Sequence, residues 1–119
     1  MPTAETLRAF ALSLPGTTEE FPWEERVIKV SKKIFLFCGS IITPPPGVFL
    51  GVKLPESGED VLSLPYARAM GYNLGKTGWV QFHFPPGEVP PMPILRDWVL
   101  ESYRAVAPKR FIAELEQSK

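Results

Sequence analysis

The sequence predicts an α+β fold: a two-layer sandwich in which helices flank a mostly antiparallel sheet. Apolar runs of strand length lie in the middle of the chain, and apolar residues at helical spacing lie at its two ends. Two of the predicted strands are joined by only three residues, which is hairpin length and indicates antiparallel pairing. We expect residues 1–119 to form a single domain, because 119 residues suffice for one core and not for two.

The N-terminal element is predicted to be a helix. Thr3 is a helix-capping residue type, and Pro15 with Gly16 ends the helix in a turn. Its apolar face consists of Leu7, Phe10, Ala11 and Leu14. The acidic stretch that follows is interpreted as a solvated loop pinned to the core by Phe21 and Trp23. Paired catalytic carboxylates are not indicated, because no two of these acids occupy contrasting environments.

Three strands are predicted next. Residues 26–30 and 34–38 form a hairpin whose turn, 31–33, carries two lysines. These lysines either form a basic wing or simply keep the turn soluble. Three prolines at 44–46 favour a stiff connector, with a polyproline ligand as the alternative. In the third strand, 48–53, successive side chains face opposite sides of the sheet. Val48, Leu50 and Val52 are apolar and share one face.

The second half of the chain is predicted to contain two more helical regions around a strand. Residues 55–64 read as a short helix with Val61, Leu62 and Leu64 turned inward. In the strand 79–84, Val80, Phe82 and Phe84 face the core, which leaves Trp79, Gln81 and His83 on the opposite face. There Trp79 is either open to a partner or covered by a helix or loop. A long apolar stripe from Pro93 predicts the helix that covers the sheet, and a short helix follows Pro108.

The glycine-punctuated stretch at 71–80 brings together a lysine, an amide side chain and two aromatic residues at the start of a strand. Its Gly75-Lys76-Thr77 resembles the end of a phosphate-binding P-loop. Only three residues separate Gly71 from Gly75, however, and a strand follows where the motif requires a helix. A turn that feeds a strand is therefore the favoured interpretation.

Composition excludes several classes of function. One cysteine and one histidine cannot supply a tetrahedral zinc site, and a lone cysteine forms no internal disulfide, which favours a cytoplasmic location. The start of the chain lacks the pattern of a signal peptide, and no apolar stretch is long enough to cross a membrane. Cys38 lies in an apolar strand that would bury it and raise its thiol pKa. We therefore expect no enzymatic activity, no cofactor and no metal.

Net charge is zero, yet the stretch from Arg26 to Lys53 contains five bases and no acid. A strongly basic domain is typical of proteins that bind nucleic acid by bulk attraction, so any binding here is expected to be weak and sensitive to salt.

Several short motifs occur along the chain in a specific order. They are Leu14-Pro15-Gly16, Phe21-Pro22-Trp23, Lys29-Val30 followed by Lys33-Ile34-Phe35, Lys53 at a strand end, and Gly71-Tyr72-Asn73-Leu74 with Lys76 and Trp79. Together they resemble the MmcQ/YjbR family from about Thr3 to Leu115. The resemblance implies a sheet flanked by helices, a fold also compared with type III secretion chaperones. It further implies a DNA-binding role by analogy with the double-wing module of a phage transcription factor, although fold alone does not establish function.

Three hypotheses follow from the residues and the resemblance. In the leading one the protein is a non-enzymatic DNA-binding domain; lysines contact phosphates, and aromatic or amide side chains contact sugar or base. The candidate residues are Lys29, Lys32, Lys33, Lys53, Tyr72, Asn73, Lys76 and Trp79. In the second, the sheet face with Trp79 binds a protein partner or a second copy. In the third, the protein binds a small anionic ligand in a pocket near Tyr72, Lys76 and Trp79.

Overall fold

The structure is a computed structural model, and it describes residues 3–40, 47–70 and 78–117. These residues form four α-helices, six β-strands and one 3-10 turn. In chain order they are α1 (Thr3–Leu12), β1 (Thr17–Glu20), the 3-10 turn (Pro22–Glu24), β2 (Glu25–Val30), β3 (Lys33–Ser40), β4 (Val48–Lys53), α2 (Gly58–Val61), β5 (Ala67–Ala69), β6 (Trp79–Phe84), α3 (Met92–Val106) and α4 (Lys109–Gln117).

The six strands form one sheet with the order β1-β2-β3-β4-β6-β5, in which all neighbouring strands are antiparallel. All four helices contribute side chains to a single apolar core on one face of this sheet. One residue from each, in chain order, is Leu7, Val61, Leu95 and Leu115. The predicted α+β class, with an antiparallel sheet and helices packed on it, is confirmed.

The pairing of β4 with β6 forms the centre of the core. Its cross-strand pairs Val48–Phe84, Leu50–Phe82 and Val52–Val80 are all buried beneath the helices, as the alternation predicted. Trp98 of α3 stacks on Phe82 with ring centroids 4.3 Å apart and planes 7° apart. Aromatic stacking therefore joins the covering helix to the sheet.

The predicted hairpin between β2 and β3 is confirmed, with a turn one residue shorter than expected. Ser31 and Lys32 have positive φ angles of 49° and 72°, and Lys33 already belongs to β3. A two-residue turn with both central residues at positive φ matches the right-handed twist of the flanking strands. The tip of the hairpin is thus a tight turn with Lys32 exposed.

The acidic stretch, predicted to be a solvated loop, instead contains the edge strand β1. Its side chains alternate, with Glu19 turned toward α1 and Glu20 exposed. Glu19 accepts two hydrogen bonds from the guanidinium of Arg8, and Arg26 lies 3.4 Å from the same carboxylate. Phe21 is 47% exposed, so the prediction that it pins this stretch to the core is wrong. The side chain of Trp23 lies outside the described residues.

The Arg8–Glu19 pair predicts a pH-dependent contribution to stability. The hydrogen bond from Arg8 holds the pKa of Glu19 below its ordinary value of 4.5, although burial acts in the opposite direction. Because the folded pKa is the lower one, the stabilisation is complete above the unfolded pKa and is lost as the pH falls through the folded pKa. We expect Glu19→Gln to lower the free energy of unfolding at neutral pH by about 1–2 kcal/mol.

Urea denaturation at neutral pH and at pH values well below 4.5 measures this contribution. The difference between wild type and Glu19→Gln is expected to shrink in acid. Glu20→Gln is the matched control, because Glu20 is exposed and, among the described residues, its ion pair is with Lys29. A Glu19→Gln difference that stays constant from neutral to acidic pH would contradict the assignment.

The helix predicted at 55–64 is shorter than expected and spans only Gly58–Val61. Val61 is buried as predicted, whereas Leu62 and Leu64 are 40% and 42% exposed, so their predicted inward orientation is wrong. The chain must cross from β4 to β5, the outermost strand, and residues 62–66 therefore pass along the margin of the sheet rather than under a helix.

Candidate nucleic-acid interface

One face of the sheet carries no helix among the described residues, since all four helices pack on the other face. We call this helix-free side the open face. Strand register and alternation assign to it Val27, Lys29, Phe37, Phe49, Gly51, Lys53, Arg68, Trp79, Gln81 and His83. The open face thus combines cations, aromatic rings and an amide, which is the mixture expected of a surface that contacts a polar partner.

Trp79 lies on the open face, as predicted, but it is only 8% exposed. Its ring packs against the edge of Phe37, with centroids 5.3 Å apart. Gly51 permits this packing: a Cβ there would lie 3.1 Å from the Cβ of Phe37 and 3.2 Å from the sulfur of Met70. Of the two alternatives predicted for Trp79, the structure shows the covered one. The faces of the indole ring are therefore not available for stacking on a base.

Both hairpins end at the same end of the sheet. The β2–β3 turn lies there, and the pairs Leu36–Val52 and Lys53–Trp79 place the end of β4 and the start of β6 beside it. At the second hairpin, β5–β6, the amide of Met70 donates to the carbonyl of Trp79. We call this the tip end and define it by Ser31–Lys33, Lys53, Met70 and Gly78.

Three of the predicted lysines meet at the tip end. Lys32 and Lys33 are exposed and Lys53 is half-buried. None of the three forms an ion pair with any residue in the described part of the chain. The other three candidates in the loop, Tyr72, Asn73 and Lys76, lie outside the described residues. Their described chain neighbours, Met70 and Gly78, are both at the tip end.

Lys29 differs from these lysines because it already has a partner. Its ammonium lies 3.1 Å from a carboxylate oxygen of Glu20, and its side chain is largely covered. A phosphate at this position would have to displace Glu20 before it contacted Lys29. Lys29 therefore lies near the β2–β3 tip without being free to bind an anion.

Acidic residues near the tip end lie on the helix side of the sheet. Glu56, Glu59 and Asp60 follow β4, and Glu101 of α3 accepts hydrogen bonds from the amides of Glu56 and Ser57, both at 3.0 Å. These bonds hold the start of α2 against α3. The acidic segment that follows β4 is thereby anchored to α3.

A buried serine positions Lys53 where the sheet splits. Strands β3 and β4 pair only at Leu36–Val52 and Phe37–Gly51. Beyond these pairs, the hydroxyl of Ser102 accepts from the amide of Lys53 at 2.8 Å and donates to the carbonyl of Phe35 at 2.5 Å. Sequence reasoning missed this contact, although a serine within the apolar stripe of a helix was a visible signal.

Burial raises the pKa of the Cys38 thiol to about 12, as its position in an apolar strand predicted. In residues 3–40, 47–70 and 78–117 no three His, Cys, Asp or Glu side chains are grouped to hold a metal ion. Over the same residues, no helix has the length and apolar character needed to span a membrane.

Comparison with known proteins agrees with the motifs. No curated protein matches the sequence significantly. The family model described as YjbR matches residues 12–105, which is most of the chain and includes every candidate lysine and all six strands of the sheet. The resemblance carried by the motifs is therefore confirmed, and the chain belongs to the YjbR family.

Proposed function

We propose that this YjbR-family protein binds nucleic acid through the tip end of its sheet. The observation that carries the proposal is the convergence there of Lys32, Lys33 and Lys53, none of which has an acidic partner among the described residues. Cations without an internal partner are available to neutralise phosphates and release the counterions bound to them.

The spacing of the two hairpins supports this proposal. Counted across the sheet, the midpoint between β2 and β3 lies three strand spacings from the midpoint between β6 and β5. At about 4.8 Å per strand, the hairpins are roughly 14 Å apart. A nucleic acid that lies across this span can contact Lys32 and Lys33 at one hairpin and Lys53 between the two.

Fluorescence anisotropy of a labelled DNA duplex over a salt series tests the proposal. Lys32→Glu/Lys33→Glu is expected to weaken binding and to reduce the slope of log affinity against log salt by about 2, because two phosphate contacts are lost. The matched control is Lys109→Glu/Arg110→Glu on α4, which changes the charge equally on exposed residues of the helix side. We expect this control to keep the wild-type slope.

Equal losses of DNA affinity in the two double variants would mean that only the overall charge of the protein matters, and this would refute a specific tip-end site. Wild type that binds no duplex or single strand at low salt would overturn the proposal. The exposed Leu62, Leu64 and Tyr66 would then favour a second function, a protein-interaction surface beside β5. Sedimentation over a concentration series is the measurement for that candidate.

A further inference from the structure

The β4-β6-β5 half of the open face is organised in rows across the sheet. In one row, Gln81 is paired with Gly51 on one side and with Arg68 on the other. In the next row, His83 is paired with Phe49, and its amide donates to the carbonyl of Tyr66. Gln81 and Arg68 therefore lie one row from His83, whose ring centroid is 6.5 Å from that of Phe49, while the ring of Tyr66 lies 6.4 Å from that of Phe84.

These two rows enclose a concavity of about 420 Å³. It is lined by Tyr66, Ala67, Arg68, Gln81 and His83, and we call it the edge pocket. Tyr66, Arg68 and His83 are exposed and Gln81 is half-buried. No carboxylate pairs with Arg68 within the described ranges of the chain. The edge pocket thus offers ring surface, a donor–acceptor pair and a positive charge at one place.

We propose that the edge pocket binds an unpaired nucleobase, so that the protein prefers single-stranded nucleic acid to duplex. This inference rests on the proposed function, because the tip-end lysines supply the phosphate contacts that hold the strand. The rings of Tyr66 and His83 stack on the base, and the amide of Gln81 both donates to and accepts from its edge. Arg68 contacts the adjoining phosphate or stacks on a neighbouring base.

Bases inside a duplex cannot use such a pocket. Their faces are covered by stacking, and only their edges are reachable through the grooves. Sequence-specific recognition on sheet surfaces instead uses unpaired bases that stack on aromatic side chains. Trp79 is packed against Phe37, and the aromatic rings that line the edge pocket are those of Tyr66 and His83.

Anisotropy with three labelled probes of equal length tests the inference: a mixed-sequence single strand, the corresponding duplex, and a single strand with abasic sites in place of its bases. Wild type is expected to bind the intact single strand about tenfold more tightly than the abasic strand, the loss expected for one stacked base. It is also expected to bind the intact single strand more tightly than the duplex.

Tyr66→Ala/His83→Ala is expected to remove this preference, so that the intact strand binds about as weakly as the abasic strand. Tyr66→Phe keeps the ring and is expected to keep the preference. Phe21→Ala is the control, because Phe21 is 47% exposed against 48% for Tyr66 and follows β1, the opposite edge strand. Thermal unfolding of each variant verifies that the fold is retained.

The outcomes separate this inference from the proposed function. Equal wild-type affinity for intact and abasic strands, with binding still lost in Lys32→Glu/Lys33→Glu, overturns the edge pocket and leaves the tip-end site standing. Loss of the preference in Phe21→Ala as well as in Tyr66→Ala/His83→Ala also overturns the edge pocket. Wild type that binds none of the three probes overturns both.

Discussion

Ser102→Ala is expected to lower the free energy of unfolding by about 3 kcal/mol, since it leaves two buried polar groups without a partner. These groups are the amide of Lys53 and the carbonyl of Phe35, which the hydroxyl now bridges. Ser102 has no exposed surface, so water does not replace the lost oxygen without opening the structure. The cost arises from these unmade hydrogen bonds more than from the small volume removed.

Urea denaturation at neutral pH measures the effect of Ser102→Ala. Ser63→Ala is the matched control, because the Ser63 hydroxyl also donates to a backbone carbonyl, that of Asp60 at 2.7 Å, but at the surface. Water can satisfy Asp60 after the change, and we expect a loss of about 0.5 kcal/mol or less. If both variants lost the same stability, the bridge between β3 and β4 would not be what holds the split sheet together.

Trp98→Ala is expected to lower the free energy of unfolding by about 4 kcal/mol. The indole is 8% exposed and stacks on Phe82 and Phe84, with ring centroids 4.3 and 6.2 Å away. Truncation leaves a cavity between α3 and β6 and removes both aromatic contacts. The loss therefore combines the transfer free energy of a large side chain with the free energy of the cavity.

Two further variants on α3, Ile94→Ala and Trp98→Phe, test this explanation. Ile94→Ala changes an apolar side chain one turn earlier on α3 that is 42% exposed, and we expect it to cost less than about 1 kcal/mol. Trp98→Phe keeps a ring against Phe82 and is expected to lose an intermediate amount. A Trp98→Ala loss no larger than that of Ile94→Ala would show that the stack contributes little.

Elements whose signal is local were predictable from the sequence. Period-two alternation identified the inward residues of β4 and β6, such as Leu50 and Phe82, because alternate side chains of a strand face opposite sides. The lysine-bearing turn was recognised from its length, and Pro108 marked the break between the last two helices.

Elements that depend on distant partners were not predictable. β1 consists of two threonines and two glutamates, which show no apolar alternation that would identify a strand. Glu19 is held in the strand by Arg8 of α1, and this contact is not visible from the spacing of residues. Leu62 and Leu64 were expected to be buried because apolar residues near a short helix usually are, but the route of the chain to β5 leaves them exposed.

The sequence by itself determined the two-layer class, the β2–β3 hairpin, the core side of β4 and β6, and the membership in the YjbR family. These depend on residue order and short-range periodicity. Only the tertiary structure decided that both hairpins end beside Lys53, that Lys29 has an acidic partner while Lys32 has none among the described residues, and that Trp79 is covered. Strand order and register bring together residues far apart in the chain, and it is these pairings that distinguish a free cation or ring from a covered one.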